Sequence, residues 1–445
     1  MSENLRLLRY NTGNDKKVFI KFKDKISAVI FNATIVAYSS SAIADLVSVY
    51  KNQYIIDPQT HIFQQDISAI SSDKNGSRKI KKSVDKYFQE MPNELISLYE
   101  KKGGNLSVDN ISQHIDSLVA HTYSFETEYV NKYISNKDYS KYLNFVNLGP
   151  LPKAIIAPYF MLKSTYSNDD IHKWLQLNKI STQKFECINK HKYPLGVQLV
   201  LDKSVLENEY FLKEVREAYL DLNIEYAFIW IDDFDLFQAP PIQRKNFKSL
   251  LKILTELQIK PIMAYGGYDT ILLCNQDLPY RMYGVAHSVG YGEKRAITPV
   301  GGGLPVNKYY FPPLHKRLKI SVVSSILSDQ EFFNIPKDKA AEKFLQEICS
   351  CKQCSEIIKN NIDNFNKYND SVPFTVKNGI KRNRPTTDAA LISSIHFMNA
   401  KIQEWDQVEQ KSFSELTAEL VINYEKYDAS NLDSILSWCE IYGIK

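Results

Sequence analysis

Leu195-Gly196-Val197-Gln198-Leu199-Val200-Leu201 is an almost unbroken apolar run, and Tyr226-Ala227-Phe228-Ile229-Trp230-Ile231 is a second. Between them Val205–Leu222 has helical periodicity. Strands that are apolar throughout, rather than alternating, belong to sheets covered on both faces. Strand–helix–strand order implies parallel βαβ units. Working outward, similar β-rich runs occur at Ala154–Leu162, Pro261–Tyr265 and Gly284–Val289, with Ile320–Ile326 a weaker last member and Arg244–Leu257 another helical stretch. On the N-terminal side, Lys17–Phe22 and Ser27–Ala37 read as strands, Ser41–Tyr50 as a helix, and Tyr54-Ile55-Ile56-Asp57 as a short strand ending in a carboxylate. The strand count approaches eight. The expected fold class is α/β, a closed (β/α)8 TIM-like barrel rather than an open doubly wound sheet.

Residues from Lys74 to Val130 read as a charged helical insertion without strand character, with the basic run Lys74, Arg78, Lys79, Lys81 and Lys82. Two regions are expected: 1–340, a barrel with its helical insertion at about 74–150, and 341–445, a zinc-binding and C-terminal helical subdomain.

Bulk composition excludes little but sets bounds. The 445 residues suit one large barrel with an attached subdomain. A net charge of +4 is too small to identify a nucleic-acid binder, so local charge must carry that argument. The N-terminal segment has no apolar run of signal-peptide length, and Ile26–Ala37 is too short to span a bilayer. A cytoplasmic protein without membrane contact is expected. Three of the six cysteines are clustered and three lie singly, which argues against a disulfide framework.

In a barrel the C-terminal ends of the strands and the loops after them build the site. Polar residues collect there: Asp57, Gln198, Asp232 with Asp233, Tyr265-Gly266-Gly267, and His287 through Glu293, including Tyr291. Taken singly, each is as easily a cap, a turn residue or a surface ion pair.

The sharpest local signal is Cys349-Ser350-Cys351-Lys352-Gln353-Cys354. Thiolates at this spacing converge from a tight turn on one tetrahedral ion, which needs a fourth ligand. His396 is the sole histidine downstream, in a helical, apolar setting that also suits a core histidine. A zinc ion closed by these four residues has no open position and serves folding. Between Cys354 and His396 lie Lys377, Lys381, Arg382 and Arg384, a candidate phosphate grip on nucleic acid.

The C-x-C-x-x-C cluster followed by a helical histidine, after an α/β barrel, resembles the tRNA-guanine transglycosylase superfamily. Its members are zinc-containing barrels that exchange a guanine in nucleic acid for a 7-deazaguanine, and one branch acts on DNA. Ile56-Asp57-Pro58-Gln59-Thr60-His61-Ile62-Phe63-Gln64 looks like the family's strand-end aspartate segment, without its two glycines. Gly196-Val197-Gln198 resembles the strand whose glutamine contacts the base. Where the family places its nucleophilic aspartate, Gly284 through Arg295 contains none; Glu293 is the nearest carboxylate and His287 the alternative group.

The resemblance implies a transglycosylase on DNA or, second, tRNA, with zinc as structural cofactor. Base exchange passes through an oxocarbenium-like centre that a carboxylate can capture, while a second acid or base manages protons. Asp57 supplies one carboxylate; Glu293, Asp232 and Asp233 are candidates for the other. The alternative is a non-catalytic nucleic-acid-binding homologue or partner subunit, with assembly as a homo-oligomer or with a partner protein left open.

Overall fold

Strand alternation and helical spacing place two concentric apolar layers in this chain. The computed structural model describes residues 4–11, 13–50, 53–74, 77–135, 137–138, 141, 150–290, 292–297, 306–375 and 379–443. Its strands are β1 (Leu5–Tyr10), β2 (Ala28–Asn32), β3 (Tyr54–Asp57), β4 (Ser71–Lys74), β5 (Ser77–Ile80), β6 (Ile155–Ile156), β7 (Leu195–Leu201), β8 (Tyr226–Ile231), β9 (Lys260–Met263), β10 (Gly284–Ser288), β11 (Lys308–Phe311), β12 (Lys316–Lys319), β13 (Ser371–Thr375) and β14 (Lys381–Pro385). Eight of them form one sheet in the order β3-β2-β1-β10-β9-β8-β7-β6, with every pair parallel. The two edges approach each other, since Tyr54 bridges Pro152 and the Lys153 amide donates to the Tyr54 carbonyl at 2.7 Å. The result is a near-closed parallel sheet surrounded by helices, consistent with a TIM-like barrel.

The interior is filled by Leu7, Ala28, Ile30, Ile55, Ile156, Val200, Phe228 and Ile262, with Trp230 and Tyr265 toward the C-terminal ends of the strands. Alternate residues, such as Val197, Leu199 and Leu201 of β7, pack outward against the helices in a second core. That outer core continues into the C-terminal helices through Trp405 and Trp438. Burying a side chain of this class stabilises the fold by about 2–3 kcal/mol.

Several local expectations are corrected. Lys17–Phe22 is not a strand but the end of the helix Gly13–Phe22. Val18, Phe19 and Phe22 recur at helical spacing and are buried, a period too short to recognise in six residues. The first barrel strand is instead β1, in the polar stretch before it. Ile320–Ile326 belongs to the helix Ile320–Asp329, following the antiparallel hairpin β11–β12 outside the barrel. The insertion is not free of strands, because β4 and β5 pair as an antiparallel hairpin ahead of its helices.

Candidate metal centre and barrel mouth

Cys349 follows the helix Lys337–Glu347, Cys351 caps the helix Lys352–Ile358 through its sulfur, and His396 lies in the helix Thr387–Gln410. The Cys351 sulfur accepts from the Cys354 amide at 3.4 Å, which folds the short loop onto itself. All four side chains are buried and their ligand atoms lie within 4.8 Å of one another. His396 Nδ1 is 3.9, 3.4 and 3.3 Å from the sulfurs of Cys349, Cys351 and Cys354. A tetrahedral ion with bonds of about 2.3 Å to sulfur and about 2.0 Å to nitrogen sets those edges near 3.6 Å. The donor set therefore fits a metal ion such as zinc.

The surroundings orient the ligands in the way metal sites require. His396 Nε2 donates to the Tyr310 carbonyl at 2.6 Å, leaving the Nδ1 lone pair for the cluster. Tyr309 stacks on the imidazole with ring centres 4.2 Å apart. The hydroxyls of Tyr309 and Tyr368 lie 3.2 and 3.3 Å from the Cys354 sulfur.

At the C-terminal end of the barrel, Asp57 closes β3 and is completely buried. Its Oδ2 pairs with Arg9 Nη1 at 2.9 Å, while Oδ1 accepts from the Tyr159 hydroxyl at 2.6 Å and the Gln59 amide at 3.2 Å. Burial alone would raise its pKa, but the Arg9 guanidinium and the Tyr159 hydroxyl outweigh it and hold the carboxyl below its usual range. Asp57 is thus an ionised acceptor with both oxygens engaged. Burial keeps the adjacent His61 neutral, its pKa pushed down to about 4.

Arg9 organises this end of the barrel. Its Nε donates to the Ala264 carbonyl at 2.8 Å, and Nη1 also reaches Asn32 at 2.9 Å and the Tyr265 hydroxyl at 3.0 Å. Arg295 Nη1 donates to the same hydroxyl at 3.2 Å. The Arg295 carbonyl accepts from Trp230 Nε1 at 3.1 Å and from the Asp233 amide at 3.1 Å. Arg9 Nη2 and both side-chain polar atoms of Gln198 are buried with no hydrogen-bond partner among the described residues. Such atoms are costly unless something else satisfies them.

The remaining expected site residues divide. Asp232 is half-buried at the end of β8, where its Oδ1 accepts from the Ile297 amide at 2.7 Å. Asp233 is exposed in a left-handed turn with φ of 41°. Asp57, Gln198 and Asp232 therefore share the barrel interior or its C-terminal rim. Glu293 instead pairs with the fully buried Lys401 at 2.8 Å, which ties its loop to the helix Thr387–Gln410. His287 is corrected: its place in β10 turns it outward, away from the mouth. There its Nδ1 donates to the Gly266 carbonyl at 3.2 Å and its Nε2 accepts from Trp405 Nε1 at 3.1 Å. Tyr291 and Lys377 lie outside the described residues. Lys381, Arg382 and Arg384 are exposed on β14.

No protein-family model matches the chain, and no curated protein matches it in sequence. Among the described residues, no helix is long and apolar enough to cross a membrane.

Sequence reasoning missed Arg9, Tyr159 and the Lys401–Glu404 pair. For Arg9 a signal existed, since alternation in Leu5-Arg6-Leu7-Leu8-Arg9 sets Leu5, Leu7 and Arg9 on one face. An arginine ending an apolar inward face marks a charge aimed into a barrel. Tyr159 and Lys401 come from distant segments and had no local signature.

Proposed function

We propose that the chain is a transglycosylase of the tRNA-guanine transglycosylase type, exchanging a guanine in nucleic acid, DNA before tRNA, for a 7-deazaguanine base. The observation that carries the reading is the pairing of a buried Cys3His cluster with a parallel barrel whose C-terminal rim holds an ionised, buried Asp57. Cys349, Cys351, Cys354 and His396 would hold zinc as a closed, structural ion, making residues 341–445 a zinc-binding subdomain. Asp57, kept charged by Arg9, would accept hydrogen bonds from the donor edge of a flipped base. Gln198, with its unspent donor and acceptor, would read the same base. Asp232 and Asp233 would be the carboxylates that face the sugar, because Glu293 is paired with Lys401. Lys381, Arg382 and Arg384 would hold the backbone.

Incubation with DNA or tRNA and a radiolabelled 7-deazaguanine tests the reading. Label should enter DNA, and Asp57→Ala should abolish incorporation. No label in either polymer, under conditions where the protein binds nucleic acid, rejects it.

The engagement of both Asp57 oxygens, together with the lack of any aspartate in 284–295, favours one second reading: a non-catalytic nucleic-acid-binding homologue or partner subunit. In that case Asp57→Asn leaves function intact while charge removal on β14 abolishes it.

A further inference from the structure

The β13–β14 ribbon has no evident structural reason to exist. Among the described residues its strands pair only with each other, from Ser371 opposite Pro385 to Thr375 opposite Lys381, and nearly all its residues are exposed. A two-stranded ribbon without an apolar face packed on something is marginal in water. This one is nevertheless held firmly at its root. The Thr386 amide donates to the Asp370 carbonyl at 3.0 Å, and Asn307 Nδ2 reaches the same carbonyl at 3.3 Å. On one side the chain enters from Tyr368, whose hydroxyl contacts the Cys354 sulfur; on the other it leaves into the helix that carries His396.

Cross-strand register sorts its side chains. Val372 faces Arg384 and Phe374 faces Arg382, so one face carries two guanidiniums around an aromatic ring, with Arg384 stacked 5.2 Å from the Phe374 centroid. Lys381 and Asn383 lie on the other face beside Thr375 and Pro373. None of Lys381, Arg382 and Arg384 forms an ion pair among the described residues. The ribbon is a cationic blade with donors on both faces.

We propose that this ribbon inserts into the major groove of B-form duplex DNA, with Arg382 and Arg384 gripping the phosphates along the groove. The major groove admits a two-stranded β-ribbon, and five residues per strand span about 17 Å, roughly half a helical turn. The deep, narrow major groove of A-form RNA excludes such a blade, so the shape selects DNA. The inference rests only on the nucleic-acid part of the function proposed above.

Fluorescence anisotropy with the full-length, metal-loaded protein tests it, using a labelled DNA duplex of about two turns, the same sequence as duplex RNA and as one DNA strand, and polyglutamate. Duplex DNA should bind tightest. Each phosphate contact adds about 0.9 to the salt slope, so Arg382→Ala with Arg384→Ala should lower that slope by about 1.8 and weaken binding about thirtyfold at physiological salt. Arg382→Lys with Arg384→Lys should retain the slope, and unchanged metal content and urea midpoint confirm that both variants fold. Unaltered DNA affinity in the alanine variant overturns the proposal, as does equal or tighter binding of duplex RNA, single strand or polyglutamate. Failure of base exchange with ribbon-dependent DNA binding intact would reject the reaction and leave the ribbon standing.

Discussion

Replacing Lys401 by methionine removes a fully buried ammonium that lies 2.8 Å from Glu293 Oε1, 3.0 Å from Glu404 Oε2 and 2.8 Å from the Tyr310 hydroxyl. Methionine has similar volume, so cavity effects are small and the charge is what is lost. Breaking a buried pair from one side costs about 3–5 kcal/mol, because the partner charge is stranded. Glu404 supplies an independent figure. Burial would raise its pKa, yet Lys401 and His315 hold it down to about 2 against an ordinary value of 4.5. That difference corresponds to about 3 kcal/mol, shared among Lys401, His315 and the Tyr310 hydroxyl. Since the folded pKa is depressed, the contribution is complete above about pH 4.5 and is lost as the pH falls toward 2. Lys401→Met should therefore lose about 3 kcal/mol at neutral pH and flatten the acid limb of the stability profile. Adding Glu404→Gln should return part of the loss, since the buried carboxylate that had lost its ammonium partner is then gone. Urea unfolding followed by far-ultraviolet dichroism and fluorescence, with coincident transitions, measures both quantities. A loss under about 1 kcal/mol, or an acid limb identical to that of the parent, refutes the reasoning.

Purified protein should carry close to one zinc ion per chain by atomic absorption, and His396→Ala or Cys354→Ser should lose it with a marked drop in melting temperature; metal-free protein of unchanged stability would contradict the Cys3His assignment. His287→Ala should cost about 1–3 kcal/mol by stranding the Trp405 indole, without weakening DNA binding; impaired binding at full stability would return His287 to the mouth. Burial chiefly, with Lys401, pushes the His287 pKa down to about 3, so its neutral form contributes stability above about pH 6.5 that is lost as the pH falls. Arg9→Met should destabilise by about 3–5 kcal/mol by leaving Asp57 charged and unpaired, and Arg9→Met with Asp57→Asn should restore much of it; a single variant as stable as the parent disposes of the buried pair.

What the sequence revealed follows from the range over which each signal acts. The apolar runs of β7 and β8 are local and uninterrupted, and they are strands in the structure. Cys349, Cys351 and Cys354 announce themselves by spacing, and His396 by being the sole histidine beyond them. Lys17–Phe22 misled because six residues hold less than two helical turns, so a buried helical face passes for a strand. His287 misled for a different reason. Proximity to the C-terminal end of a strand does not determine which face a side chain takes, and a shift of one residue exchanges inward for outward. Arg9 and Lys401 are defined by partners at Asp57 and Glu293, and such pairings exist only once the chain is folded.

The helix Thr387–Gln410 links the cysteine cluster to the barrel. Its buried residues include His396, Lys401, Glu404 and Trp405, whose polar atoms meet the cysteine cluster, Glu293, Tyr310 and His287 respectively. Burial on more than one face gives it no simple apolar stripe, so specific polar partners rather than a generic hydrophobic surface fix its position. From His396 to Trp405 it rises about 13 Å, with the metal-type cluster near one end and the underside of β10 near the other. Packed interiors move as units, and a displacement of His396 would shift Lys401 and with it the loop of Glu293 and Arg295. Arg295 in turn touches Tyr265, the residue shared with Arg9 and thereby with Asp57. An ion held by the cysteine cluster would in this way be coupled, through packed side chains, to the surroundings of Asp57.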